Sequence, residues 1–175
     1  ALVSRARRLR ERIVSARLSK YNVGNRQWTS IAPASKGRRV VLVVGQVESD
    51  ASIRLGATAV STNLGLIAAA RALEPDAWLV YKPHPDVVAG LRNAGRDEGR
   101  AAALCDEVIS DAPIEALLDK VDAVHVMTSL TGFEALLRGK PVHCHGLPFY
   151  AGWRLTTDAT RSPRRGRALG LDELV

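Results

Sequence analysis

The chain is poor in cysteine, with only Cys105 and Cys144, one in a helical stretch and one in a strand-like stretch. Two thiols so placed make neither a disulfide framework nor a metal cluster, and buried free thiols are expected. Aromatic residues are scarce as well: three Trp, three Tyr and two Phe in 175 residues. A reader of nucleic acid stacks bases on aromatic side chains interleaved with basic ones, and the interior lacks that pattern, so no nucleic-acid partner is expected. No segment approaches ~20 continuous apolar residues, which excludes a membrane span. The arginine-rich start is not followed by an apolar run, which argues against a secretory signal.

The sequence does contain enough for one core, with 46% hydrophobic residues, and a single domain is the default. Its net charge of +7 is unevenly spread. Residues 1 to 40 hold eleven Lys or Arg against one acid, a net of +10; residues 41 to 153 hold nine against fourteen, a net of −5. Residues 154 to 167 add five arginines and Asp158. Basic ends of this kind suit contact with an anionic membrane surface. Three regions follow: a basic helix and linker over 1–36, a central lobe over 37–153, and a basic tail over 154–175 in which Arg161 to Arg167 looks poorly ordered.

Residues 2 to 19 repeat apolar side chains at helical spacing, and Asn22 to Lys36 is a loop by composition. From Arg39 onward strands and helices alternate. Val40–Val44 reads as a central strand, Leu55–Leu73 as one helix, Ala77–Tyr81 as the second strand, and Pro85 as the first turn of a short helix. A helix at 97–104, a weak strand at 107–110, a helix at 113–118, a buried strand at 123–127 and a last strand at 142–144 complete the pattern. The helix between the last two strands is expected to begin at a capping box, Thr131 with Glu134, and to end at Gly139 and Pro141. The implied class is α/β, a Rossmann-like parallel sheet with helices on both faces. In such a sheet the loops after the strands gather along one edge, where ligands bind. Those loops carry Gln46, Glu48 and Asp50, then Lys82 and His84, then Ser129 and Thr131, then His145.

Each group has a functional and a merely structural reading. In KPHP, Lys82 and His84 give a cation and a titratable donor pinned between Pro83 and Pro85, suited to a phosphate or a carboxylate; alternatively His84 only caps the next helix. The turn at Ser129 to Glu134 places hydroxyl and N–H donors at the positive end of a helix, a ready phosphate site. There Glu134 either reaches a ribose diol or closes its own capping box. Asp50 is either a nucleophile or base beside that anion site, or the N-cap of the helix after it. His125 and Met127 read as core. The H-x-H of His143 and His145 puts both rings on one face without a further ligand pair, so no metal site is expected.

Five segments in order, LSKYNVG (18–24), GQVESDASI (45–53), YKPHPDVVAG (81–90), VHVMTSLTGFEALLRGKPV (124–142) and GLPFYAGWRLTTD (146–158), resemble the capsular polysaccharide biosynthesis and export family, the KpsC-type β-Kdo glycosyltransferases. The resemblance implies the donor-binding lobe of a two-lobed GT-B-type glycosyltransferase that uses CMP-Kdo to add Kdo to a lipid-linked saccharide acceptor. The acceptor lobe would belong to the rest of the protein. It implies that Lys82, His84 and Pro85 hold the phosphate of CMP, with Ser129 and Thr131 adding hydroxyl contacts and Glu134 addressing the ribose. Gln46 and Asp50 would lie at the anomeric carbon, Asp50 as the nucleophile of a retaining reaction. No cofactor and no metal would be needed, and the setting would be cytoplasmic, peripheral at the inner membrane. The sequence departs from the family pattern at Ser49, where an acid is usual, and at Arg154, where a glycine is usual. The residues alone also leave room for a nucleotide-sugar epimerase of similar architecture, or for a non-catalytic lobe that binds nucleotide or docks on a membrane.

Overall fold

The structure, a computed structural model, describes residues 2–21, 31–35, 37–95 and 97–175. Six strands form one parallel sheet in the order β3-β2-β1-β4-β5-β6. They are β1 (Val40–Val44), β2 (Trp78–Lys82), β3 (Glu107–Val108), β4 (Ala123–Val126), β5 (Val142–Cys144) and β6 (Thr157–Asp158). The central β1 is a β-branched and leucine run buried along nearly its whole length, as a strand covered on both faces must be. Its neighbours are in register, Val43 against Tyr81 on one side and against His125 on the other.

Alternation along these strands splits the core in two. Leu42, Val44, Val80, Val124 and Val126 face α6 (Ile114–Lys120) and α7 (Leu130–Leu137), packing on Leu117, Leu118, Ala135 and Leu136. Val41, Val43, Leu79, Tyr81 and Met127 face the other layer, α2 (Ala51–Gly56), α3 (Asn63–Leu73) and α5 (Glu98–Ala103), through Ile53, Leu66, Ile67 and Ala101. Each fully buried aliphatic side chain stabilises this sandwich by about 1.5–3 kcal/mol. His125 and Met127 are both fully buried, as core residues.

The chain departs from its sequence pattern in three places. The helix expected over Leu55–Leu73 is broken: α2 ends at Gly56, and α3 starts only after Thr62, whose side chain accepts the Gly65 N–H as its cap. The intervening Ala-Thr-Ala-Val-Ser-Thr is rich in β-branched residues and hydroxyls, which favour extended and capping conformations over a helix interior. At α7 the cap is Ser129, whose Oγ accepts from Thr131 N, so the Thr131–Glu134 box does not form. The C-terminal residues are tied down. β6 joins the sheet, and the Arg165 guanidinium donates to the carbonyls of Pro148 and Ala151. The last helix, α8 (Leu171–Leu174), holds α1 (Leu2–Ser15) through Asp172, which pairs with Arg7 at 3.0 Å and Arg10 at 2.7 Å. Part of the basic charge at each end is therefore spent inside the molecule. Most of the loop expected over Asn22–Lys36 lies outside the described residues; within it a 3-10 turn spans Pro33–Ser35.

Helix α7 ends as expected: Gly139, at φ +70, takes the left-handed conformation that a side chain would resist. Both cysteines are free, Cys144 buried and Cys105 half-buried, and burial pushes both thiols up to about 12. No described helix is long and apolar enough to cross a membrane.

Candidate active site

In a doubly wound sheet the strand order reverses between two neighbours, and the crevice above that point receives ligands. Here the reversal falls between β1 and β4. Above it opens a cleft of about 240 Å³. Its walls include Gln46 and Asp50 from the loop after β1, Lys82, His84 and Pro85 from the loop after β2, and Ser129, Thr131 and Glu134 from the start of α7. The eight residues to which the family resemblance assigns a role thus meet at one cavity, although the chain separates them by up to 88 positions, whereas Glu48 is turned away to accept from Asn63 N. His145 does not line it; its ring is buried against His125.

Gln46 spans the reversal itself. Its Nε2 donates to Thr128 Oγ1 at 3.0 Å and its Oε1 accepts from Thr128 N at 2.8 Å, clamping the loop after β1 to the loop after β4. Its backbone is fixed from behind by Asn63, which accepts from Gln46 N and donates to Gln46 O. With both ends of its amide so engaged, Gln46 first of all sets the shape of the cleft floor.

His84 is oriented by its own loop. Nδ1 accepts from Asp86 N at 3.2 Å at the start of α4 (Pro85–Val88), so in the neutral ring the proton sits on Nε2. Burial, the largest influence, holds its pKa below the usual histidine value despite the opposing Asp86. Nε2–H then points at the Tyr21 hydroxyl, 3.3 Å away. The capping and the donor roles therefore coexist on opposite nitrogens, and His84 is a neutral donor, not a cation.

Lys82 is more constrained than a free phosphate ligand. Its ammonium donates to the carbonyls of Ser110 at 3.1 Å and Ala112 at 2.8 Å, and burial lowers its pKa. Asp111 and Glu115 oppose that shift. A lysine has three N–H donors, so after these two carbonyls one remains for the cleft.

Glu134 does not close a capping box. It is 7% exposed, and its Oε1 accepts from Lys20 N at 2.8 Å. Burial raises its pKa, against the lowering influence of the Lys20 N–H and of Arg138. Arg138 also donates to the carbonyls of Glu134 and Leu18, so α7 holds the chain at residues 18–21 across the cleft. Asp50 occupies the N-cap position of α2 without a side-chain cap bond. Its Oδ1 instead pairs with Arg92 Nη2 at 2.5 Å, both side chains being nearly half exposed.

Sequence reasoning missed Thr128, Arg92 and the wall formed by Ser19, Lys20 and Tyr21. No spacing rule links residue 20 to residue 134, because only the docking of the N-terminal segment on α7 brings them together. Of the two departures from the family pattern, Ser49 is exposed and Arg154 is exposed and outside the cleft lining. Arg154 has φ 64, the left-handed region where the usual glycine is at ease and a side chain is strained.

A profile of the family described as "Capsule polysaccharide biosynthesis protein" matches residues 1–170. The chain belongs to that family. It is 49% identical over 170 residues to the capsule polysaccharide modification protein LipA of Neisseria meningitidis serogroup A, covering 97% of this chain and 24% of LipA. It is 46% identical over 173 residues to the lipopolysaccharide-processing protein LpsZ of Rhizobium meliloti, covering 99% of this chain and 39% of LpsZ. Among solved structures, KpsC of Thermosulfurimonas dismutans, a β-Kdo 2,7 transferase, superimposes with a TM-score of 0.78 at 40% identity over 99% of this chain and 51% of that one. A β-Kdo 2,4 transferase KpsC structure from the same organism gives 0.78 at 32% identity. The chain thus spans a quarter to two-fifths of these curated relatives and about half of each KpsC chain. Its fold is that of one Rossmann-like lobe of a GT-B-type glycosyltransferase of capsule biosynthesis.

Proposed function

We propose that this lobe binds CMP-Kdo and, with an acceptor lobe supplied elsewhere in the complete protein, transfers Kdo with retention to a lipid-linked saccharide at the inner-membrane surface. The observation that carries the reading is the convergence of Asp50, His84, Ser129, Thr131 and Glu134 on one cleft at the strand-order reversal, beside the N-terminus of α7. The phosphate of CMP would take the His84 Nε2–H, the remaining Lys82 proton, the Ser129 and Thr131 hydroxyls and the helix N-terminus. The ribose diol would replace the Lys20 N–H on Glu134. The cleft is small against the ~300–1,000 Å³ usual for such ligands, as expected if another lobe supplies its opposite wall.

In the transfer, Asp50 attacks the anomeric carbon as the bond to the phosphate oxygen breaks and CMP leaves with that electron pair. The acceptor hydroxyl then gives its proton to the phosphate of the departed CMP and displaces the carboxylate, which leaves as Asp50, and two inversions give retention. Arg92 holds Oδ1 of Asp50; among the described residues Oδ2 makes no hydrogen bond and is the oxygen left to attack. Charge on the departing phosphate is met by fixed donors, so the transfer itself needs no metal.

Titration of the purified protein with CMP, UDP and AMP tests the donor class, since a ligand of the folded state raises Tm by mass action. CMP should raise it most. A preference for UDP would favour the epimerase reading, and no response to any of the three would refute nucleotide binding. Asp50→Ala in the complete protein should keep the CMP response and abolish Kdo transfer; unchanged transfer would refute the assigned nucleophile.

A further inference from the structure

Behind the cleft, on the α3 face of the sheet, the fold assembles a second polar cluster that the transfer chemistry does not use. From the residues alone His143 and His145 lack a further ligand pair. The tertiary structure supplies one: His125 on the neighbouring strand, paired in register with His143, and Glu74 at the C-terminal end of α3. Glu74, His125 and His143 each offer one ligand atom, and those atoms all lie within 4.8 Å of one another. His125 is fully buried, and its Nε2 has no hydrogen-bond partner. Its other nitrogen, Nδ1, is 3.1 Å from His145 Nε2. His145 stands outside the three-residue cluster and occupies Nδ1, which leaves Nε2 as the nitrogen open to a ligand.

We infer that Glu74, His125 and His143 form a site for a divalent d-block cation of the zinc class, a structural ion that fastens the end of α3 to β4 and β5. Two imidazole nitrogens and one carboxylate oxygen are a donor set that suits zinc and its neighbours. A buried ring nitrogen without a partner is costly and needs either a donor or an ion. A cation on Nε2 would select the tautomer in which His125 Nδ1–H donates to His145 Nε2, 3.1 Å away, so that the contact orients the ligating ring.

Two features define what binding requires. The His125 and His143 rings are stacked, 4.4 Å apart and 9° from parallel, so their lone pairs do not yet converge. His143 is only half-buried on β5 and is the ring that turns, while His125 is held by His145. Arg39 pairs with Glu74 Oε2 at 3.3 Å, so the ion shares that carboxylate with a guanidinium. The site lies by the C-terminal end of α3, whereas the N-terminal end of that helix braces Gln46 at the cleft. It is therefore separate from the donor site and independent of the reading given to it.

The test uses metal-free protein titrated with Zn²⁺ by calorimetry and with Co²⁺ by absorption. One equivalent should bind, with cobalt d–d bands of a low-coordinate site and a rise in Tm. His143→Gln and Glu74→Gln, changed one at a time, should each weaken Zn²⁺ binding by at least about tenfold and remove the cobalt bands, with unchanged circular dichroism. Absence of Zn²⁺ binding by folded protein would overturn the inference. So would binding that survives both substitutions, or that disappears instead with His84→Gln at the cleft.

Discussion

A methyl group added at Gly132 offers a sharp test of how α7 is seated. The glycine lies in the first turn of α7, and a Cβ there would meet the Tyr150 hydroxyl and come within 2.8 Å of its Cζ. Tyr150 is fully buried and cannot step aside, since Phe133 and Phe149 pack on its ring and its hydroxyl donates to the Ser129 carbonyl. Forcing the overlap costs about 1–3 kcal/mol in a packed core. Displacing the hydroxyl from Ser129 adds about 1–3 kcal/mol for the groups left unpaired. The better helix propensity of alanine returns about 1 kcal/mol. Gly132→Ala should therefore destabilise by about 1–5 kcal/mol, read from urea unfolding with m unchanged. Tyr150→Phe alone should cost about 1 kcal/mol for the lost bond. It removes the group the methyl strikes first, so the double variant should fall short of the sum of the two by at least about 1 kcal/mol. Because Ser129 lines the cleft, Gly132→Ala should also weaken CMP binding. Additive single effects, or Gly132→Ala within about 0.5 kcal/mol of wild type, would refute the proposed wedge.

Other consequences can be checked with single substitutions. Burial raises the Glu134 pKa, so the folded chain holds that proton to higher pH than the unfolded one, and stability falls as pH rises from 4.5 through the folded value. Glu134→Gln keeps an acceptor for Lys20 N, should flatten that fall in melting curves recorded across pH, and should weaken CMP binding at pH 7. Lys82→Met strips the buried Ala112 carbonyl and the part-buried Ser110 carbonyl of their donor and should cost about 1–3 kcal/mol in chemical unfolding even without nucleotide. Arg154→Gly should relieve a left-handed strain of about 1–2 kcal/mol, less the entropy a glycine adds to the unfolded chain, for a net gain of about 0.5–1 kcal/mol. A Tm lower than that of wild type would show that Arg154 makes a contact worth more than its strain.

The succession of strands and helices, the parallel sheet and the edge that carries the cleft all follow from local pattern. A run such as Val40–Val44 must be buried on both faces, and connections between parallel strands bring the following loops to one edge. That is why Asp50, Lys82, His84, Ser129 and Glu134 could be assigned to one place before any coordinates, and why Gly139 could be placed at the end of α7. Local pattern could not say what each group touches once there. The spacing of Thr131 and Glu134 matches a capping box, yet Ser129 takes the cap and Glu134 turns to Lys20, a residue 114 positions away. The same limit hid β6, the anchoring of Arg165 and the meeting of Glu74 with His125 and His143. Hydrophobic periodicity fixes which face of an element is buried, within one or two turns. The partner of a buried polar atom is chosen among groups far apart in the chain, by the requirement that desolvated donors and acceptors pair, and only the folded packing decides which of them come within reach.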